Sequence, residues 1–136
     1  MQYLLDTDTC IELLRGTKPV VGNAAAVAPD DCAVSTVTAY ELLTGVFKCR
    51  HPETERHKVE SLLGAIHLLP FDRESAESTA MIRARLEKRG HMIGSCDVML
   101  AGQSLAAGLT LVTSNVEEFG RVRGLRTANW RLSSRK

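Results

Sequence analysis

Aromatic side chains are scarce in this chain, where three Phe, two Tyr and one Trp make up 4% of the residues. That scarcity excludes a nucleic-acid platform built by stacking bases on several rings, so any such binding must rest on phosphate contacts and metal. Cysteine pairs are missing too. Cys10, Cys32, Cys49 and Cys96 form no CxxC motif, and Cys49-Arg50-His51 finds no second ligand pair with which to hold zinc. The four thiols are expected to stay reduced and to pack as small hydrophobes. There is no apolar run of membrane-spanning length, and the short one ending at Leu5 stops at Asp6 without a basic leader. A cytoplasmic protein with no membrane contact is the expectation.

Excess charge is also absent, with 17 basic against 16 acidic residues and a net charge of +1. A general polyelectrolyte binder is excluded on that balance, but the distribution is uneven. After Glu118 there is no acid, while Arg121, Arg123, Arg126, Arg131, Arg135 and Lys136 follow. Two readings stay open for this basic end: a phosphate-contacting face around Arg121, Arg123 and Arg126, or a solvated tail over residues 131–136.

What is present is an ordinary globular composition, 44% hydrophobic and 24% charged over 136 residues. One domain spanning 1–136 is expected, large enough to bury a core without disulfides or a structural metal. Residues 2–5 read as a buried strand ended by Asp6, and Asp8 as the cap of a helix over 9–15 that Gly16 stops. Residues 17–30 read as loop or short helix. A second strand is expected over 32–36 and a helix over about 38–48, where Ala39, Leu42, Leu43 and Val46 share one face. Val59, Leu62, Leu63 and Ile66 repeat that spacing on a third helix.

A strand over 67–71 then precedes a helix over 73–89 that is acidic early, basic late and ended by Gly90. Residues 95–107 form an almost wholly apolar helix, expected to be deeply buried, which Gly108 stops. Strands over 109–113 and 125–128 complete the chain. Strands alternating with helices predict an α/β fold with a mainly parallel sheet covered on both faces.

Ligands of such sheets sit beyond the carboxyl ends of the strands. Asp6 ends the first strand, and Glu41 falls in the first turn of the helix after the second. Asp97 starts the apolar helix, and Thr113, Asn115, Glu117 and Glu118 follow the strand at 109–113. Each has an innocent role, because Thr38-x-x-Glu41 and Ser114-x-x-Glu117 both match the capping box and Asp97 suits a helix N-terminus. Caps do not require several carboxylates to converge on one crevice, though. Like charges held together raise one another's pKa, and a divalent cation removes that penalty. Oxygen ligands alone select Mg2+ or Mn2+ over zinc, which suits phosphodiester hydrolysis with Asp6, Glu41 and Asp97 as ligands. His51, His57, His67 and His91 are too scattered for a metal-free acid–base mechanism.

The ordered set of motifs resembles a known family. Tyr3-Leu4-Leu5-Asp6-Thr7, then Ser35-Thr36-Val37-Thr38-Ala39-Tyr40-Glu41-Leu42, are similar to the first two acidic motifs of VapC-type PIN domains. Ile93 to Ala101, with Asp97 at its centre, resembles the third. Leu111 to Phe119, then Arg121-Val122, Gly124-Leu125 and Asn129-Trp130, resembles the C-terminal signature. The resemblance implies a three-layer α/β/α fold and Mg2+- or Mn2+-dependent RNA cleavage, with tRNA the leading substrate. It also implies a homodimer and inhibition by a cognate VapB-like antitoxin laid over the active-site groove. Asn115 stands where many PIN domains have a fourth acid, leaving Glu117 or Glu118 to contribute. That departure keeps a non-cleaving RNA- or partner-binding module in view. Leu4-Leu5-Asp6-Thr7-Asp8-Thr9 also fits the opening motif of haloacid-dehalogenase-type phosphatases, with Asp6 as nucleophile and Asp8 as acid. That reading lacks the later Lys and paired acids and leaves Glu41 unexplained.

Overall fold

A computed structural model of the chain describes residues 1–132. Arg135 and Lys136, the end of the expected basic tail, lie outside the described residues. Five strands form one sheet in the order β3-β2-β1-β4-β5, and every neighbouring pair is parallel. They are β1 (Tyr3–Leu5), β2 (Cys32–Ser35), β3 (His67–Leu69), β4 (Thr110–Val112) and β5 (Thr127–Ala128). Parallel strands need crossovers, and helices supply most of them. Helices α1 (Thr7–Arg15) and α2 (Lys18–Ala25) join β1 to β2, α3 (Thr36–Lys48) and α4 (Pro52–Ala65) join β2 to β3, and α5 (Arg73–Arg89) and α6 (Ser95–Ala107) join β3 to β4. The short α7 (Val116–Phe119) lies between β4 and β5.

Strand register divides the core in two. Leu4 pairs with Ala33 and Leu111, and these face Ile82, Leu86, Val98 and Ala101 of α5 and α6. Leu5, Cys32, Val34 and Val112 face the other way, onto Cys10, Val20, Leu42, Val46 and Val59 of α1 to α4. Three layers result, as expected from sequence.

The expected strands are shortened and several caps move. The side chain of Asp6, not Asp8, caps α1 by accepting the Thr9 amide at 2.8 Å. Asp6 is the residue that turns out of β1, so it alone has the extended backbone a cap needs. Ser35 likewise caps α3 by accepting the Val37 amide, so the helix starts earlier than 38 and Glu41 lies in its second turn rather than its first. Thr38 is buried inside α3 and does not open a capping box. Asn115, not Ser114, occupies the cap position of α7, with no side-chain cap bond. Within 17–30 the chain forms α2, started by Pro19 in its first turn.

The α5–α6 pair is the tightest helix contact. An ideal Cβ on Gly102 of α6 would lie 2.0 Å from Thr79 Oγ1 and 2.7 Å from the Thr79 backbone nitrogen. Two turns of backbone are pressed together there, and only a residue without Cβ fits. Gln103, buried beside it, donates to the carbonyls of Leu69 and Pro70 at 3.4 and 3.1 Å and ties α6 to the end of β3. We expect Gly102→Ala to destabilise the fold by about 3 kcal/mol through overpacking. A denaturant midpoint equal to that of the parent chain contradicts the close approach.

Candidate active site

Strand order creates the crevice. From β1 the chain steps outward to β2 and β3, then returns to place β4 on the opposite side of β1. That reversal is the switch point at which parallel sheets open a pocket beyond their carboxyl ends. Asp6 leaves β1 there, its amide donating to the Val112 carbonyl of β4 at 3.0 Å. Thr113 leaves β4 alongside, its amide donating to Ala128 at 2.9 Å. Both are buried, Asp6 at 4% exposure and Thr113 at 0%.

Burial pushes the Asp6 carboxyl above its ordinary range, and hydrogen bonds from Thr113 and Thr9 pull it partly back. Glu41 reaches the same place from α3. The Thr7 hydroxyl donates to Glu41 Oε1 and lies 3.2 Å from the Thr38 hydroxyl, so Glu41 is oriented by the residue next to Asp6. Asp97 arrives as the third residue of α6, half-buried, behind Gly94. A Cβ on Gly94 would sit 3.3 Å from Asp97 Oδ2, so the glycine leaves the carboxylate room.

Asp97 carries the clearest electrostatic mark. Its carboxyl is pushed up to about 7, first by burial, then by a hydrogen bond to Glu118 and the negative charges of Glu118, Asp6 and Glu41. Four acids from four separate stretches therefore share one field. Glu118 is half-buried and held by the Asn115 amide at 2.9 Å, whereas Glu117 points to solvent. Asn115 in turn donates its backbone N–H to the Thr113 hydroxyl at 3.0 Å. Among the described residues no three acidic, imidazole or thiol side chains close into a ready cage. The acids instead face one another across an open rim whose donors are hard oxygens, the set that suits Mg2+ or Mn2+.

Two contacts were missed by sequence reasoning. Thr7 belongs to the site through Glu41, and only its place beside Asp6 could have pointed to it. Cys96 packs against the α5–α6 core as expected, but its thiol also hydrogen-bonds Glu41, and burial with the charges of Glu41 and Asp97 raises it. The basic candidates separate. Arg121 donates to the Met92 carbonyl at 3.1 Å, close to the start of α6, and Arg123 is exposed nearby. Arg126 instead donates to Gly108 at 2.8 Å, at the far end of α6, about 16 Å along the helix from Asp97. There a cation satisfies an orphan carbonyl and the helix dipole, so Arg126 is not brought to the rim.

The fold, the acidic rim and the motif order describe a PIN domain, and the model of that family, described as "PIN domain", matches residues 3–125. The chain belongs to the PIN domain family. Within it the likeness runs to VapC proteins. The chain is 35% identical over 130 residues to the tRNA(fMet)-specific endonuclease VapC of Shigella flexneri, covering 96% of this chain and 98% of that protein. It is 32% identical to Ribonuclease VapC2 of Haemophilus influenzae over the same shares. Among solved structures, DNA-bound VapBC from Salmonella typhimurium superposes with a TM-score of 0.91 at 31% identity, covering 96% of this chain and 98% of that one. Family membership removes the phosphatase reading of Asp6 and Asp8.

A pH signature follows from Asp97. Between its ordinary value of 3.8 and its raised value near 7, the folded chain holds a proton that the unfolded chain has released. Metal-free stability should therefore fall as pH rises through that window. Asp97→Asn should flatten the decline. A parent and variant with superimposable profiles of denaturation midpoint against pH, in EDTA, contradict the shared field.

Proposed function

We propose that this chain is a Mg2+- or Mn2+-dependent endoribonuclease that serves as the toxin of a toxin–antitoxin pair. The observation that carries the reading is the raised Asp97 carboxyl, which senses Asp6, Glu41 and Glu118 together. Such repulsion is what a divalent cation relieves. Asp6, Glu41 and Asp97 would hold the metal, and Glu118 would complete the set through water or directly. When bound, the ion lowers the pKa of a water and offsets charge on the phosphodiester. The chain's own groups do the positioning. Thr7 aims Glu41, Thr113 and Thr9 offset part of the burial cost on Asp6, and Asn115 holds Glu118 beside Asp97. The Asn115 amide favours a working nuclease over a degenerate binding module, because it retains a carboxylate where the fourth acid of the family is missing.

The names of the relatives extend the reading to substrate and partner. The Shigella flexneri protein is called tRNA(fMet)-specific, which makes tRNA the substrate we propose. The neighbouring VapBC structures support a VapB-like antitoxin. A groove of about 550 Å3 between α1, α3 and α4, with Ile11, Leu14, Val46 and Val59 on its walls, ends at Glu41 and would let an antitoxin segment cover the site. Tyr40 and Phe47 are 65% and 75% exposed two turns apart on α3, a face that a second copy of the chain would cover in a homodimer.

Incubating the protein with tRNA and other RNAs in Mg2+, Mn2+ or EDTA tests the reading. We expect metal-dependent cutting of tRNA, with mapped ends at one site. Asp6→Asn, Glu41→Gln and Asp97→Asn should each lower cleavage by roughly 100-fold or more while antitoxin binding persists. Near-normal, metal-dependent cleavage by Asp97→Asn would falsify the site. For Thr7→Val, which leaves every carboxylate in place but unpins Glu41, the expected loss in kcat is about 10-fold with KM little changed.

A further inference from the structure

Four of the arginines that pair with no carboxylate among the described residues lie together. Arg85 and Arg89 stand one turn apart on α5, and with Arg121 and Arg123, which follow α7, they line one shallow depression. All four are exposed. Among the described residues none of them pairs with a carboxylate, whereas Arg83 on the next face of α5 is bound to Glu87 at 2.8 Å. Four like charges gathered without counter-charge repel one another, which costs stability unless an anion covers them.

Their place in the fold is set by α5 and α6, which run antiparallel. Thr79 meets Gly102, Leu86 lies beside Val98, and Ser75 lies beside Gln103. The C-terminal end of α5, with Arg89, therefore sits at the same end as the N-terminus of α6, with Asp97. The Arg121 guanidinium is fixed there by its bond to Met92, within the turn that joins the two helices. Arg121 also lies one turn beyond Glu118, which bonds Asp97. The cluster thus starts beside the acidic rim at Arg121, and the depression runs from there along α5 to Leu105 in the last turn of α6.

We infer that Arg85, Arg89, Arg121 and Arg123 form a phosphate track that holds the RNA backbone flanking the scissile bond. The inference rests on the RNA reading above and adds two residues from α5 while excluding Arg126. An RNA strand fits better than an acidic protein segment, because the track adjoins a crevice whose proposed chemistry needs a phosphodiester. Guanidinium groups bind phosphate oxygens through paired N–H donors regardless of base, so the track supplies register and affinity rather than sequence choice.

The test is binding of a fluorescent RNA stem–loop to the full chain in EDTA, at several salt concentrations, so that cleavage plays no part. Arg85→Gln/Arg89→Gln and Arg121→Gln/Arg123→Gln should each weaken binding at least several-fold. Each pair should also reduce the slope of log affinity against log salt by about 0.7 per lost contact. Arg56→Gln, on α4 across the sheet, removes one positive charge away from the track and should leave the slope unchanged. In Mg2+ or Mn2+, the double variants should lose cleavage of the stem–loop through KM and keep kcat.

An unaltered salt slope in both double variants overturns the track, even if the parent cuts RNA. Loss of affinity for poly-glutamate with RNA binding intact also overturns it and assigns the face to an acidic protein segment. If the parent binds RNA with the expected slopes but never cuts it, the track stands and the nuclease reading fails.

Discussion

Negative charges gathered at a half-buried rim repel, and the rest of this structure is arranged so that they cannot separate. Asp6 hangs from a central strand whose Leu4 and Leu5 are 0% and 1% exposed, and its amide is bound to the neighbouring strand. Releasing it would mean breaking its bond to β4 at the end of the ladder. Asp97 is fixed by the first turn of a helix whose body is core. Burial and neighbouring charge therefore act on side chains alone, and protonation of Asp97 is the relief available to the chain without a cation. Hydrogen-bond donors take up part of the load. Thr9 and Thr113 serve Asp6, Thr7 serves Glu41 and Asn115 serves Glu118. Each is a neutral donor, so it orients a carboxylate without cancelling the field that attracts a divalent ion.

Delivering Asp97 makes demands far from the rim. Helix α6 must lie flat on the sheet beneath α5, and the close approach at Gly102 and Thr79 is what lets both helices share that face. Gln103 then anchors α6 to the end of β3, and Arg126 caps its C-terminus through Gly108. A polar residue in an apolar helix and a basic residue in a basic segment thus serve the same end, holding the helix at fixed height so that its third residue meets Asp6.

The architecture and the convergence of Asp6, Glu41 and Asp97 were legible because they depend on patterns that sequence carries directly. Alternating strands and helices with Gly stops prescribe a parallel sheet, and a parallel sheet prescribes where its loops converge. The bounds of α5 and α6 follow from Gly90 and Gly108, both with positive φ. Helix starts were less legible. Asp6 and Asp8 are equally good caps as residue types, and only the extended backbone at the end of β1 selects Asp6. The same ambiguity between Ser35 and Thr38 displaced Glu41 by a turn. Thr7 and Cys96 were hidden for another reason, since a hydroxyl or thiol has no periodicity and acquires meaning only when a distant chain segment arrives beside it. Arg85 and Arg89 looked like the basic end of a helix, and their use of the helix dipole is real. Nothing in one dimension shows that Arg121 and Arg123 fold back against them.

A net charge of +1 conceals two strong and opposite fields. The acidic rim repels the polyanion that the proposed chemistry requires, so a substrate reaches it only if cations offset that charge. In the proposed reading a metal would do this at the centre, and the arginines beyond Glu118 would do it along the flank. Separating the two tasks has a physical logic. An arginine placed among Asp6, Glu41 and Asp97 would neutralise them and displace the ion, whereas one placed a turn away leaves their field intact. The Met92 carbonyl, in the turn between α5 and α6, holds the Arg121 guanidinium in place. The site would then be polarised, with hard oxygens toward the metal and guanidinium groups toward the strand.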